Sequence, residues 1–358
     1  MKVSARHFLV AAGVCLLAWL FVSQGISYFL YRYRLDQFSV WAGTRAVAAD
    51  PAANLVFIGT SRIEFGVNPQ IFDDEMKKRG RFSRSHNLAN PGESPIEIKY
   101  SLERLFETVP CCVKYVLAEV GFATFGPMSE SPQTLRARTF FNLRNALRYL
   151  RFYHSVGFQP TPKLELSEAY RKIFIATALH YTNAGIFKYS PRLAIAKDPA
   201  LRGFAPLDSS WADHLSTAAN ATYRASLDSN TNWKVTPEEV SATNVISDYE
   251  FDLAMSLASY VRSHGAQFIL VRPPETSYYS VDAILLAKVR TWCRNVPLLD
   301  FGIPKDYPLL WEPHNRYDYD HVNKDGAVLF SRLLADRLAD LIDADALPAA
   351  PPACVKRS

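Results

Sequence analysis

The chain carries the three side-chain types of an activated serine nucleophile in two short motifs. Ser61 follows the apolar run 54–58, and Asp318 precedes His321 by three residues, just before a helical pattern. A serine hydroxyl becomes a nucleophile when a base takes its proton, and that base needs an acceptor on its second nitrogen. We therefore predict Ser61 as nucleophile, His321 as base and Asp318 as acceptor. Asp320 competes for the acceptor role; alternatively, it caps the following helix.

A second motif supplies groups that can hold a negatively charged oxygen. The turn Asn90-Pro91-Gly92 leads into a helical pattern over 93–107. A glycine N–H at such a turn can approach an oxyanion closely, and the helix dipole assists. We therefore expect the backbone N–H groups of Ser61 and Gly92 to form an oxyanion hole. The alternative for Gly92 is plain turn chemistry.

Four further residues are candidates for substrate contacts. Arg62 directly follows Ser61, and Arg272 ends another apolar run. Either guanidinium can hold an anionic group of a substrate or be a solvated charge, and the sequence does not separate these alternatives. Asn90, in the turn after the second predicted strand, and Thr124 complete this set.

Composition narrows the class of protein and of ligand. Apolar residues make up 49% of the 358 residues and charged residues 21%, which excludes a disordered chain and a polytopic membrane protein. The net charge is only +5 and no dense basic stripe occurs, so we expect no nucleic-acid partner. The cysteines form no CxxC pair and the histidines lack metal-ligand spacing, so we expect neither a metal nor a cofactor.

Alternating apolar runs and helical patterns must position these residues. Short buried runs predict strands over 54–58, 85–88, 115–119, 267–271 and 296–299. Helical spacing predicts helices over 93–107, 248–262, 283–294 and 324–343. This alternation is typical of an α/β fold, a parallel sheet with helices on both faces, in which ligands bind at the carboxyl ends of the strands. Glu119, at a strand end, is predicted to be a structural carboxylate satisfied in the core.

The stretch 122–244 interrupts the alternation. It is too long for a plain loop, so we expect a large insertion with its own helices at the carboxyl edge of the sheet. Within it, apolar residues recur at helical spacing with arginines beside them: Phe140, Leu143, Leu147 and Leu150, with Arg144, Arg148 and Arg151. Such a helix can lie on an anionic membrane or against a membrane partner. The alternative is an ordinary packed helix with a solvated face.

The N-terminal region predicts a transmembrane helix. No charged residue occurs from Phe8 to Tyr31, and a helix of that length measures ~36 Å, enough to cross a hydrocarbon core of ~30 Å. A cleaved signal peptide is the alternative, but its apolar region is usually shorter than this one. We expect a cytoplasmic tail and anchor over 1–31, a juxtamembrane linker over 32–53 and a flexible tail over 345–358.

The motifs resemble the four sequence blocks of the SGNH (GDSL-like) hydrolase superfamily, in the same order. Residues 59–61, Gly-Thr-Ser, are similar to its first block, Gly-Asp-Ser, and residues 87–92 keep the Asn-x-x-x-x-Gly spacing of its second. Residues 318–321 match its last block, Asp-x-x-His. Its third block, Gly-x-Asn-Asp, falls on 121–124, Gly-Phe-Ala-Thr. The resemblance implies a flavodoxin-like sheet.

The resemblance covers 54–121 and 245–344, which we expect to form the catalytic core, and it includes two departures. Thr60 replaces the aspartate of the first block. Ala123 replaces the asparagine of the third, whose side chain donates a hydrogen bond to the oxyanion in the superfamily. Loss of one such donor typically costs roughly 10²–10³ in rate.

The pattern is most similar to the membrane-anchored, extracytoplasmic branch of the superfamily. Members of that branch assist polysaccharide O-acetylation and teichoic-acid D-alanylation, some beside a membrane-bound O-acyltransferase. The resemblance implies a serine esterase or O-acyltransferase acting on acyl groups of a cell-envelope polysaccharide or polymer. It also implies a single-pass protein of the bacterial cytoplasmic membrane with a periplasmic catalytic domain. The alternative is a non-catalytic accessory that binds polymer or docks a membrane-bound O-acyltransferase; Ala123 favours it, and the serine, aspartate and histidine motifs oppose it.

Overall fold

The computed structural model describes residues 5–32, 41–109, 113–119, 137, 140–155, 163–182, 199–209, 248–274, 296–318, 320–345 and 347. The chain divides into two compact units. The first comprises Met1–Ala42 and Pro127–Ala196, and the second comprises Gly43–Gly126 and Lys197–Ser358. The sheet and the predicted site belong to the second unit.

The described helices are α1 (Ala5–Arg32), α2 (Trp41–Ala49), α3 (Ser61–Gly66), α4 (Pro69–Lys78), α5 (Pro95–Thr108), α6 (Leu143–Ser155), α7 (Lys163–Thr182), α8 (Asp248–Ser263) and α9 (Lys324–Asp343). Short 3₁₀ turns lie at Pro199–Leu201, Pro308–Trp311 and Pro313–Asn315. The helices predicted over 93–107, 248–262 and 324–343 are confirmed, and the one predicted over 283–294 lies outside the described residues. The predicted linker 32–53 contains helix α2, whose Val47 is buried in the core.

The strands are β1 (Leu55–Ile58), β2 (Ser85–Asn87), β3 (Tyr115–Glu119), β4 (Gln267–Arg272) and β5 (Leu298–Asp300). They form one five-stranded sheet in the order β2-β1-β3-β4-β5, and every neighbouring pair is parallel. The predicted parallel sheet is thus confirmed. This order is the flavodoxin-like one, in which ligands bind where the order reverses, between the carboxyl ends of β1 and β3.

Two hydrophobic layers cover the two faces of the sheet. Val56 and Ile58 pack with side chains of α2, α5 and α8 on one face. Leu55 and Phe57 pack with α3, α4 and α9 on the other. Successive residues of a strand point to opposite faces, so a run of four apolar residues is buried throughout when helices cover both faces.

Three helices near the predicted site, α3, α5 and α9, have a side-chain cap at their N-terminus. The Thr60 hydroxyl accepts the N–H of Arg62 at the start of α3. Ser94 and Glu97 form a reciprocal capping box at α5. The Asn323 side chain accepts the N–H of Gly326 at α9. Each cap satisfies backbone donors that the first helical turn leaves open, and so fixes where the preceding loop ends.

The predicted insertion 122–244 contains helices α6 and α7, which belong to the first unit, and residues 199–209, which belong to the second. The carbonyl of Arg202 accepts the N–H of Asn87 at 2.8 Å, and the carbonyl of Leu207 accepts the N–H of Lys324 at 2.7 Å. Gly203 has φ +93° and lies against Asn87, where a Cβ would come within 1.9 Å of the Asn87 carbonyl oxygen. Only glycine fits this approach.

In the first unit, α7 contacts both α1 and α6. Ser23 Oγ donates to the carbonyl of Tyr181 at 2.7 Å, and the Tyr181 hydroxyl accepts the N–H of Leu143 at 3.1 Å. Within the part of the chain that the structure describes, no helix combines the length and apolar character that a membrane span requires. The transmembrane helix predicted over 8–31 stays a prediction.

Candidate active site

Strand β1 brings Ser61 to the carboxyl edge of the sheet. The strand ends at Ile58, Gly59 and Thr60 form the turn, and Ser61 begins α3. Gly59 lies so close to β3 that a Cβ there would come within 2.5 Å of the Glu119 Cβ. As the first residue of a helix, Ser61 has a backbone N–H that finds no partner within that helix. The turn thus positions both a hydroxyl and an N–H at this edge.

Ser61, His321 and Asp318 form a continuous chain of hydrogen bonds. Nε2 of His321 lies 2.8 Å from Oγ of Ser61, and Nδ1 lies 2.9 and 3.0 Å from the two carboxylate oxygens of Asp318. An ionised carboxylate only accepts, so Nδ1 donates to Asp318 and Nε2 is left to accept the Ser61 proton. The Phe65 ring of α3 lies 5.6 Å from the imidazole, centroid to centroid. The three residues predicted as nucleophile, base and acceptor therefore meet in space.

Asp318, and not Asp320, is the carboxylate that faces the imidazole. Oδ1 of Asp318 also accepts the backbone N–H groups of Asp320 and His321, each at 2.8 Å. The competing assignment of Asp320 as acceptor is thus wrong. Its assignment as helix cap is wrong as well, because Asn323 caps α9.

The surroundings of Asp318 lower the pKa of its carboxyl group. Burial acts to raise the pKa, but the hydrogen bond and charge of His321 and the two backbone N–H groups outweigh it, so the pKa lies below its ordinary value of 3.8. Asp318 is therefore ionised at neutral pH. An ionised carboxylate there stabilises the imidazolium that forms when His321 takes a proton.

Arg316 holds the loop that carries Asp318. The guanidinium is fully buried, lies 5.3 Å from the centre of the Trp311 ring, and donates from Nη1 to the carbonyl of Pro274 at 2.9 Å. Nε donates to the carbonyl of Asp318 at 3.3 Å. These contacts fix the backbone of the loop from inside.

Glu119, at the end of β3, binds the turn that carries Ser61. Its carboxylate accepts the backbone N–H of Thr60 at 2.5 Å and the Thr60 hydroxyl at 2.9 Å, and it pairs with Nε of Arg62 at 2.7 Å. The prediction of a structural carboxylate satisfied in the core is confirmed. Arg62 is buried in this pair, so its assignment as a solvated charge is wrong; a role in substrate contact stays a prediction.

Two asparagines of the second motif hold the loop after β2. The Asn87 side chain donates to the carbonyls of Ile63 and Val67, at 2.8 and 2.9 Å, and so connects β2 to α3. The backbone N–H of Asn90 donates to the carbonyl of Gly59 at 3.0 Å. The loops after β1 and β2 are therefore hydrogen-bonded to each other beside Ser61. A contact of Asn90 with substrate stays a prediction.

Gly92 occupies the third position of a tight turn from Asn90 to Glu93. The N–H of Glu93 donates to the carbonyl of Asn90 at 3.2 Å, and Gly92 has φ +61°. Proline in the second position and a positive φ in the third define a type II turn. The buried Glu93 carboxylate accepts the Ser101 hydroxyl of α5 at 2.7 Å, which anchors the turn. The turn type sets the direction of the Gly92 N–H, whose role as oxyanion donor stays a prediction.

Arg272 is buried, and its Nη1 lies 3.5 Å from Oδ1 of Asp300 across the paired ends of β4 and β5. A Cβ at Gly302 would come within 2.4 Å of Nε of Arg272, so the chain closes tightly on the guanidinium. The assignment of Arg272 as a solvated charge is therefore wrong, and its contact with substrate stays a prediction. Thr124 and Ala123 lie outside the described residues.

Sequence reasoning missed Arg316 and Asn323. The sequence around an arginine does not distinguish a buried side chain from an exposed one, so the role of Arg316 could not be predicted. Asn323 directly precedes a strong helical pattern, which is the ordinary signal of a helix cap, and it could have been found.

No protein-family model matches this chain, and no curated protein sequence matches it. The class of the protein is therefore defined by its own fold and geometry. It is an α/β protein with a serine–histidine–aspartate chain at the carboxyl edge of a parallel sheet of flavodoxin-like order.

Proposed function

We propose that this protein is a serine esterase or O-acyltransferase that works through an acyl-serine intermediate. The observation that carries the proposal is the hydrogen-bonded chain from Ser61 through His321 to Asp318, with 2.8 Å between Oγ and Nε2. A nucleophile within hydrogen-bond reach of a base, which is itself oriented by a third group, is the arrangement that activates serine.

In the proposed first half-reaction, Ser61 Oγ attacks the carbonyl carbon of an acyl ester while His321 Nε2 takes the hydroxyl proton. The oxyanion that forms accepts hydrogen bonds from the backbone N–H groups of Ser61 and Gly92. The bond to the leaving alkoxide then breaks, and His321 returns its proton to that alkoxide. The carboxylate of Asp318 keeps the proton on Nδ1 throughout.

In the second half-reaction, His321 takes a proton from water or from a polymer hydroxyl, whose oxygen attacks the acyl-serine carbonyl. Collapse of this second intermediate releases the acyl group and returns the proton to Ser61. Water as acceptor makes the protein an esterase, and a hydroxyl makes it an acyltransferase. A cell-envelope polysaccharide or polymer as substrate is supported by the resemblance of the four motifs to the SGNH superfamily.

Turnover of p-nitrophenyl acetate, with and without a polysaccharide acceptor, tests this proposal. We expect hydrolysis above the buffer rate, and a loss of at least about 10³-fold in Ser61→Ala. Ser263→Ala, an exposed serine at the end of α8, is the matched control and should keep full turnover. A folded wild-type protein without turnover would instead favour the accessory role, in which the protein binds polymer or a membrane-bound O-acyltransferase.

The location in the cell also belongs to the proposal, as a single-pass protein whose catalytic domain faces the periplasm. Its support is the uncharged run from Phe8 to Tyr31 and the exposure of large apolar side chains along α1: Leu9, Val10, Val14, Leu16, Leu17, Trp19, Phe21 and Val22. Alkaline phosphatase fused to the C-terminus should be active in cells. An inactive but stable fusion would reverse the topology.

A further inference from the structure

Helix α6 in the first unit carries a face that combines leucines and arginines. Leu143 is 58% exposed and Leu147 is 45% exposed. Arg144 and Arg151 are also exposed, and Arg148 is half-buried. Positions 143, 147 and 151 are four apart, as are 144 and 148, and the two rows are joined by spacings of three, so these five residues share one side of the helix. We name this side the Leu–Arg face.

The opposite side of α6 does the packing. Asn145, Ala146 and Tyr149 are buried, and α6 contacts α7. The apolar stripe expected from the sequence is therefore divided, because Phe140 is buried while Leu143 and Leu147 are exposed. Leu143 and Leu147 thus lie on the side of α6 that faces away from this packing, and their exposure to water is unfavourable.

The charge of the helix identifies what covers the Leu–Arg face. Helix α6 contains three arginines and neither aspartate nor glutamate. Leucines that alternate with arginines suit the boundary of a bilayer, where guanidinium groups reach lipid phosphates and leucines enter the acyl region. We propose that the Leu–Arg face lies on an anionic phospholipid surface. This contact does not depend on the esterase proposal.

Continuity with α1 supports a lipid surface over a protein partner. Tyr181 of α7 binds Ser23 of α1 through its carbonyl and the N–H of Leu143 through its hydroxyl. Tyr181 thus bridges Ser23 and Leu143, the first residue of the Leu–Arg face. The large exposed apolar side chains of α1 extend from Leu9 to Val22, immediately before that serine. An apolar medium that covers this part of α1 would extend to Leu143.

Vesicle partitioning of the full-length protein tests the charge of the contact. Partition into phosphatidylcholine vesicles is compared with partition into vesicles that contain phosphatidylglycerol. A triple variant carries Arg144→Gln, Arg148→Gln and Arg151→Gln. Its partition coefficient should fall about 10- to 100-fold for anionic vesicles and change little for neutral ones. The matched control removes three exposed cations of the second unit, Lys77→Gln, Lys305→Gln and Arg332→Gln, and should keep wild-type partition. Equal losses in the two triple variants, or none in the first, would overturn the proposal.

A local reporter separates this contact from any contribution of α1. Leu147→Trp adds an indole to the Leu–Arg face, and brominated phospholipids quench indoles that enter the acyl region. The added emission should be quenched in anionic vesicles. Leu309→Trp is the control, since Leu309 is 58% exposed in the second unit, and its added emission should persist. Unquenched emission at 147, or equal quenching at both positions, would reject the lipid contact and favour a protein or polymer partner.

Discussion

At the scale of single residues, Asp318 distinguishes this site from an incidental contact between a serine and a histidine. Both of its oxygens lie within 3.0 Å of Nδ1, and two backbone N–H groups hold one of them in place. The carboxylate therefore selects the tautomer of His321 in which Nε2 faces Ser61 as an acceptor. Without that selection, the 2.8 Å contact between Ser61 Oγ and His321 Nε2 would not show that Nε2 can accept the hydroxyl proton.

Asp318→Asn should lower turnover by about 10⁴-fold while leaving the fold intact, because an amide can donate to Nδ1 and so favour the wrong tautomer. The measurement is kcat for p-nitrophenyl acetate beside the midpoint of thermal unfolding. Asp306→Asn, an exposed aspartate after β5, is the control and should keep wild-type turnover. An Asp318→Asn variant that keeps a tenth of wild-type kcat would rule out the assigned role.

At the scale of elements, the site depends on how the loops after β1 and β2 and the last residue of β3 bind one another. Glu119 of β3 binds Thr60 and Arg62, and Asn90 after β2 binds the carbonyl of Gly59. These bonds converge on the turn that carries Ser61. The position of Ser61 is therefore set by neighbours that do not touch the reacting atoms.

A double-mutant cycle tests the buried pair of Glu119 and Arg62. Glu119→Gln and Arg62→Gln each remove one of the two charges of this buried ion pair, so each should lower the free energy of unfolding by about 3–5 kcal/mol. The double variant should lose less than the sum, with a coupling of about 1–3 kcal/mol. Urea unfolding measures all four proteins. Additive losses would mean that the pair is not a coupled unit.

Gly92→Ala tests the turn that aims the predicted oxyanion donor. The φ of +61° strains an alanine by about 1–2 kcal/mol, and relaxation of the turn re-aims the N–H. We expect kcat to fall by about 10²-fold with little change in KM. Gly80→Ala is the matched control, since Gly80 has φ +69° and open space around a Cβ. Similar turnover in both variants would remove Gly92 from the oxyanion hole.

The local patterns of the chain predicted β1, β3, β4 and β5 and the helices α5, α8 and α9, because each of these has apolar residues at its own period. Ser61, Asp318 and His321 were predictable for the same reason, since each motif lies beside one element. The pair of Glu119 and Arg62 was not predictable, because it exists only when β1 and β3 are neighbours. Strand order depends on packing between distant segments, and the burial of Arg316 has the same origin.

At the scale of the whole molecule, a buried histidine outside the site links folding to pH. His86 of β2 lies 3.0 Å from Asp50 through Nε2, and Arg84 pairs with the same carboxylate at 2.7 Å. Burial lowers the pKa of His86 below 6.5, more than the neighbouring carboxylate raises it. Burial acts to raise the pKa of Asp50, but the hydrogen bonds from His86 and Arg84 hold it below 3.8.

The sign of this effect predicts loss of stability in mild acid. In the unfolded chain His86 takes a proton near pH 6.5, whereas in the folded protein it does so only at lower pH. The contribution of neutral His86 to the free energy of unfolding is therefore complete above pH 6.5. It is lost as the pH falls through the pKa of His86 in the folded protein. Asp50 acts in the same direction only below pH 3.8. The free energy of unfolding of His86→Gln should therefore depend less on pH just below 6.5 than that of the wild type. An equal slope in wild type and variant would contradict this.

Labelling with a fluorophosphonate most directly tests the central claim, that Ser61 is a nucleophile activated by His321. Fluorophosphonates phosphonylate activated serines, and peptide mapping locates the modified residue. We predict a single labelled serine at position 61, no label in Ser61→Ala, and labelling of His321→Ala slowed by at least about 10³-fold. A folded wild-type protein that stays unlabelled, or that is labelled at another serine, would contradict the account.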